Sequence, residues 1–423
     1  MGANFKTVQW GDTITIYEVN IRQYTLEGTF KAFQKHLPRL KEMGVEVLWL
    51  MPITSISEKV RKGSLGSYYA CSSYTKVNAE FGTEQDLIDL ISATHQLGMK
   101  IILDWVANHT GRHHEWMQDH PEWFTRDEQG HFTERNGWDD VVDLNYNNVE
   151  MRAALIEAMQ YWVRHFKIDG FRCDMAHLVP LDFWVAARTA CETITHLFWL
   201  AECEVPEYHQ VFDASYAWGW MHETEKLTKG HANIHDMYHI LHGYTQYPAG
   251  AMKLFFTSNH DENSWNGTEE EKFGAAAKSW AVFTFTWKGI PLIYSGQELP
   301  NPKRLAFFDK DFIEWTASPK LHDFYKTLIA LRKSHTCITK GNTVIIPTDA
   351  EKTIAYLRYL DHVPSKELVL VLLNVGDRVQ KINVKHELLV GEFKNIFSGL
   401  SYSFNKEIAF ELLPGDYFVY VKD

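Results

Sequence analysis

The chain lacks an excess of basic charge: 42 Lys and Arg stand against 54 Asp and Glu in 423 residues, a formal net charge of −12. Nucleic acid and anionic lipid both need a basic face, so neither is expected as the main partner. Paired cysteine spacing is also missing. Cys71, Cys173, Cys191, Cys203 and Cys337 form no disulfide framework or zinc pattern, and an odd set of thiols fits a reducing compartment. The N-terminal segment MGANFKTVQWGD has no basic start followed by an apolar run, so no secretion signal is read there. A cytoplasmic setting is therefore favoured, with a periplasmic or secreted one left open by removal of a leader. No apolar run reaches the length of a membrane span. Internal repeats and low-complexity segments are absent as well.

What the chain does have is bulk and aromatic content. Apolar residues make up 45% and aromatic residues 14%, enough for a large core. Exposed aromatic faces also suit sugar rings, and composition alone does not separate the two uses. At this length more than one domain is expected.

Short apolar runs alternate with amphipathic stretches. The expected strands are TITIYEV (13–19), VEVLWL (45–50), KIILDWV (100–106), DGFRCD (169–174), LFWLAE (197–202), VFDASY (211–216), KLFFTS (253–258) and PLIYSG (291–296). Helical patterns such as FKAFQKHLPRLKEMG and EQDLIDLISATHQLG lie between them and stop at glycines. Strands separated by helices pair in parallel, and eight such units close into a (β/α)8 barrel of the α/β class. A long polar excursion, HTGRHHEWMQDHPEWFTRDEQGHFTERNGWDD, follows the third strand and reads as a short inserted domain. After about residue 336 the pattern turns to β-rich runs, TIAYLRYL, ELVLVLLNV, QKINV and DYFVYVKD, expected as an antiparallel β-sandwich. The division is thus barrel 1–104, insert 105–146, barrel 147–335 and C-terminal domain 336–423.

Active sites of such barrels lie at the C-terminal strand ends. Carboxylates collect there: Asp104 ends KIILD, Asp174 ends DGFRCD, Glu202 ends LFWLAE, and Asp261 follows KLFFTSNH. Any one alone is commonly structural; four at successive strand ends point to acid/base chemistry. Arg172 and Asp174 are two apart on one strand and share a face, so the guanidinium is expected to keep Asp174 ionised. Asn-His pairs at 108–109 and 259–260 follow the third and seventh strands, beside Asp104 and Asp261.

DWVANHT (104–110), GFRCD (170–174), LAE (200–202) and Asn-His-Asp (259–261) resemble, in order, the four signature segments of the alpha-amylase family of glycoside hydrolases. GVEVLWLMP (44–52), VDLNY (142–146) and GIPLIYSGQE (289–298) are similar to its auxiliary segments. The resemblance runs from about residue 13 to the end. It implies Asp174 as nucleophile, Glu202 as acid/base, and Asp261 as the carboxylate that grips the sugar at the cleavage point. Tyr69, in LGSYYACSSY, resembles the tyrosine that stacks under that sugar, while His109 and His260 resemble ligands of its hydroxyls. Arg172 resembles the partner of the nucleophile, and Asp104 a structural aspartate. The chain departs from the family at Ser73, where an Asp is usual, and at His177, where many members carry Lys. His177 either contacts sugars beyond the cleavage point or only lines the loop. Glu204 is a weaker candidate for the leaving-group side.

The resemblance implies a retaining hydrolase of α-1,4-glucosidic bonds in starch-derived α-glucans or maltooligosaccharides, acting through a covalent glycosyl-enzyme. The alternatives are a maltodextrin- or cyclodextrin-acting transglycosidase with the same carboxylates, and a non-catalytic glucan-binding relative. Asn108 and Asp143 resemble calcium ligands of some relatives. The insert is short, and Leu178 stands where a histidine would supply a carbonyl, so calcium is expected to be dispensable and no other cofactor is called for. The C-terminal domain, Tyr402 and Phe404 included, is expected to cover the barrel rather than bind starch. Oligomeric state is left open.

Overall fold

The computed structural model describes residues 5–360 and 367–422. The first four residues, within the segment read for a leader, and Asp423, the end of DYFVYVKD, lie outside the described residues.

All eight apolar runs form one closed parallel barrel. Its strands are β1 (Ile16–Val19), β2 (Val47–Leu50), β3 (Lys100–Trp105), β6 (Gly170–Cys173), β7 (Phe198–Ala201), β8 (Ala214–Tyr216), β9 (Met252–Phe255) and β10 (Ile290–Tyr294). Between β3 and β6, the short strands β4 (His109–Gly111) and β5 (Val141–Asp143) pair antiparallel and anchor the insert. The helices obey their local signals. Thr83 and Asp86 make a reciprocal capping box at the start of Glu84–Gln96, and Gly44 ends Leu37–Met43 in the left-handed conformation, φ 103°. Gly170 in β6 is required by crowding. A Cβ there would lie 2.2 Å from the Phe198 carbonyl oxygen of the neighbouring strand β7.

The C-terminal region is one six-stranded antiparallel sheet, in the order β11 (Asn342–Ile345), β12 (Thr353–Tyr359), β13 (Leu368–Asn374), β16 (Tyr417–Lys422), β14 (Gln380–Asn395) and β15 (Ser401–Leu412). Alternation along β13 sets its two faces. Val369, Val371 and Leu373 join the barrel core, whereas Leu368, Leu370 and Leu372 join a second core with Ile382, Val384, Phe393 and Phe404 from the β14–β15 ribbon. Burial on both faces explains why β13 reads as an unbroken apolar run. The ribbon shifts register between Lys385 and Val390, and its apolar residues cover the face that β13 turns away from the barrel. The sheet therefore makes its own second layer. Phe404 is buried within that layer, while Tyr402 is exposed.

Replacing Gly170 with Ala forces the Phe198 carbonyl aside and should cost about 1–3 kcal/mol or more, as overpacking does. A urea midpoint unchanged from the wild type would contradict the close approach of β6 and β7.

Candidate active site

The strand-end residues converge on a cavity of about 350 Å3 at the C-terminal mouth of the barrel. Asp174, Glu202, Asp261, Tyr69 and His109 line it together. Alternation within the short strands puts Arg172 beneath them, fully buried. Its Nη1 donates to Asp104 Oδ1 at 2.9 Å and to Asp174 Oδ1 at 3.1 Å. Its Nη2 lies 2.7 Å from Glu202 Oε2, and its Nε donates to the Tyr216 hydroxyl at 3.1 Å. Asp104 also accepts from Trp49 Nε1 at 3.1 Å and from the Tyr69 hydroxyl at 3.0 Å. It is enclosed within the barrel and does not face the cavity.

One guanidinium thus serves three carboxylates. The sequence expectation that Arg172 keeps Asp174 ionised is incomplete for that reason. Burial and the charge of Glu202 push the Asp174 carboxyl well above its usual range, against the downward pull of Arg172. Asp174 and Glu202 are each held by one oxygen. Glu202 Oε2 accepts the Met175 amide at 3.1 Å, and Asp174 Oδ1 is pinned by Arg172. Asp174 Oδ2 is buried without a hydrogen-bond partner among the described residues.

A second network holds Asp261. His260 is buried; its Nδ1 lies 2.5 Å from Glu18 Oε1, and its Nε2 lies 2.7 Å from the Tyr69 hydroxyl and 3.3 Å from Asp261 Oδ2. Its ring stacks on Tyr69, 5.5 Å between centroids at 19°. Burial opposes the imidazolium, but Asp261 and Glu18 outweigh it and raise His260 to about 9. Burial in turn raises Glu18, partly offset by His260. Both ring nitrogens then donate, Nδ1 to Glu18 and Nε2 to Tyr69, which passes its own proton toward Asp104. Glu18 was not singled out from the sequence, although a lone acid within the apolar strand IYEV is a readable signal.

The remaining candidates are less central. His109 lies beside Trp138, 5.1 Å between ring centroids, and burial lowers it to about 4, so it is neutral near pH 7. Arg172 and His260 lie under the cavity wall and act through the groups they hold. His177 is exposed and outside the cavity lining. Ser73 donates to Glu115 Oε1 at 2.8 Å. Glu204 turns away to accept from Gly219 N at 2.8 Å and the Tyr244 hydroxyl at 2.5 Å, fixing the helix Trp218–Thr228. Trp138, Trp265, Phe307 and Phe308 complete the wall with Lys62. Trp138, Lys62, Phe307 and Phe308 sit in loops and Trp265 in the short π-helical turn Glu262–Asn266, without regular spacing, so periodicity does not reveal them.

Fold and site together define a class: a parallel-barrel enzyme with acid/base carboxylates gathered at the strand ends. The family model described as alpha amylase, catalytic domain, matches residues 5–140 and 120–217, and the chain belongs to this alpha-amylase family of glycoside hydrolases. A noncanonic maltogenic alpha-amylase from Thermotoga neapolitana superposes with a TM-score of 0.88 at 30% identity, covering 97% of this chain and 99% of that one. An alpha-amylase from Lactobacillus plantarum gives 0.88 at 27% identity, with the same coverages of 97% and 99%. An intracellular maltogenic amylase from Bacillus subtilis is 25% identical over 393 residues, 85% of this chain and 63% of that protein. The chain thus spans only part of the length of some curated relatives, 59% in the case of an alpha-amylase from Haloarcula japonica.

The raised His260 stabilises the fold fully below its ordinary value of 6.5, and that contribution is lost as pH rises through about 9. Urea unfolding should show a decline of up to about 3 kcal/mol across this window. Glu18→Gln removes one of the charges that raise His260, so the decline should start at the same pH but be smaller and end at lower pH. Identical pH profiles for variant and wild type would contradict the Glu18–His260 clamp.

Proposed function

We propose that the chain hydrolyses α-1,4-glucosidic bonds in starch-derived α-glucans or maltooligosaccharides, with retention at the anomeric carbon. The observation that carries this reading is the asymmetric hold on two carboxylates beside one cavity: Asp174 fixed through Oδ1 with Oδ2 unpartnered, and Glu202 fixed through Oε2. The names of the relatives, maltogenic amylases and alpha-amylases, support the substrate class.

In this mechanism Glu202 acts as the acid through Oε1, the oxygen not held by Met175 and Arg172. Glu202 gives its proton to the glycosidic oxygen while Asp174 Oδ2 attacks the anomeric carbon. The leaving chain departs as an alcohol, and the sugar is left as an ester on Asp174. Glu202, now ionised, takes a proton from water, whose oxygen attacks the same carbon from the opposite face and frees Asp174. Two inversions give net retention. Asp261, oriented by His260, accepts hydrogen bonds from the sugar's hydroxyls and is worth most when the ring flattens toward an oxocarbenium ion. Tyr69 supplies the apolar floor, and His109, neutral, is positioned to bond a hydroxyl.

Calcium is proposed to be dispensable. Asp143 Oδ2 is paired with Arg135 Nε at 2.9 Å, and its Oδ1 accepts from Asn108 Nδ2 at 3.3 Å. A cation there would meet a guanidinium and a single carboxylate, whereas calcium takes about six to eight oxygens. Among the described residues, no group of three or more His, Cys, Asp or Glu is placed to hold a metal ion. The five cysteines are free and buried, and this, with the relative named intracellular, favours a reducing compartment. No described helix is long and apolar enough to cross a membrane.

Asp174→Asn should lower turnover of maltoheptaose by about 10^4-fold or more while binding of the sugar, read by calorimetry, persists. Proton NMR of the wild-type digest should show the α-anomer first; an initial β-anomer would rule out retention. Activity and melting temperature should be unchanged after chelation with EDTA, and a sharp loss of either would contradict the calcium proposal.

A further inference from the structure

Three separate segments meet along one border of the cavity. The loop after β2 carries Lys62, whose Nζ lies 2.8 Å from Asp139 Oδ1 and 3.2 Å from Asp140 Oδ1 at the end of the insert. Two residues on, Ser64 donates from its amide and its hydroxyl to Asp309 Oδ1, both at 2.7 Å, in the loop after β10. The Leu65 amide donates to the Phe308 carbonyl at 3.0 Å. Gly63 between them lies flat against that loop, φ +60°. A Cβ on it would stand 2.6 Å from Phe308 Cβ and 2.8 Å from the Phe308 oxygen. Lys62, Asp140 and Phe308 all face the same cavity as the carboxylates.

The border has a definite side. Phe307, next to Phe308, stacks on Tyr69 at 6.3 Å and 20°, and lies 6.1 Å from His260, the groups that surround the sugar under attack. Glu202, which serves the leaving chain, is instead held against Met175. The belt therefore adjoins the non-reducing side of the bond to be cut. Trp265, 57% exposed, extends this border outward, with its ring 5.4 Å from Phe307 and 5.6 Å from Phe308. A cavity of about 350 Å3 is at the small end for ligand sites of roughly 300–1,000 Å3. A long cleft for an internal bond needs room on both sides.

We infer that the Asp139/Asp140–Lys62–Ser64–Asp309 belt closes the non-reducing end of the cavity, so that the enzyme engages chain ends and releases short products of fixed length. This rests on the α-glucan reading above and specifies how that substrate enters. The individual links are partly exposed and each contributes little to stability; their effect is steric, through the joined loops.

The test compares two maltoheptaose derivatives with a chromophore at the reducing end, one free and one capped by a 4,6-O-benzylidene group at the non-reducing end. Wild type should cleave the free chain at least about tenfold faster than the capped one, the scale on which a pocket rejects added bulk. Lys62→Met and Asp309→Ala, each checked for native circular dichroism, should bring that ratio toward one and broaden the product lengths. Equal cleavage of both chains by wild type, or ratios unchanged in both folded variants, would overturn the belt's role. A wild type inert toward both chains would instead overturn the α-glucan function and the belt proposal with it.

Discussion

The Arg172 guanidinium is the constraint on which the rest of the site depends. It is buried at the top of the barrel and touches Asp104, Asp174 and Glu202 at once. A cation enclosed in this way is tolerated only because carboxylates surround it, and those carboxylates in turn could not crowd together without it. The charges do not balance, since one cation faces three acids. The surplus of negative charge, together with burial, raises the Asp174 carboxyl against the pull of Arg172. Removing the guanidinium would release a repulsive cluster, and removing the acids would strand a buried cation. Structure and chemistry are therefore coupled at one side chain. Cation–π approaches to Trp49 and Tyr216, at 4.9 and 5.5 Å, add a rigid aromatic collar.

Around this centre the protein repeats the same device on a smaller scale. Glu18 from β1 holds His260, and His260 holds Asp261 and Tyr69. Tyr69 closes the loop by donating to Asp104, which Arg172 already grips. Residues from the ends of β1, β3, β6 and β7 and from the loop after β9 are thereby linked in one network. Each strand contributes a position that the barrel's parallel register fixes within a few ångströms. The loops add what the strands do not: aromatic walls, the Lys62 belt, and the outer boundary of the cavity. A rigid floor with a shaped rim is the arrangement expected where one chemistry serves different chain lengths.

Much of this was legible from residue order. The eight strands follow from apolar runs bounded by helical patterns, and strand-end acids are conspicuous because nothing in a strand's packing calls for them. That Asp174 and Arg172 share a strand face follows from period-two geometry, while their roles came from family resemblance. The roles of Glu202 and Asp261 came from family resemblance, and the structure adds that they share a cavity. Glu18 lies within β1 rather than at a strand end, so a search for strand-end acids does not single it out. Its partner His260 is 242 positions away, and no local pattern announces such a pair. Glu204 stood in a suggestive place, but Gly219 and Tyr244 draw it into a helix anchor. The C-terminal domain was readable as antiparallel β. That one sheet supplies both layers depends on the β14–β15 ribbon, whose register shift between Lys385 and Val390 alternation does not encode.

The central claim is that Asp174 makes the covalent bond and that Glu202 serves proton transfer. It is tested most directly by incubating the enzyme with a 5-fluoro-α-glucosyl fluoride, digesting it, and mapping the modified peptide by mass spectrometry. The account predicts a stable glycosyl ester on Asp174 Oδ2, the oxygen left without a partner. An adduct on Glu202 or Asp261, or complete turnover with no labelled peptide at any time, would contradict it.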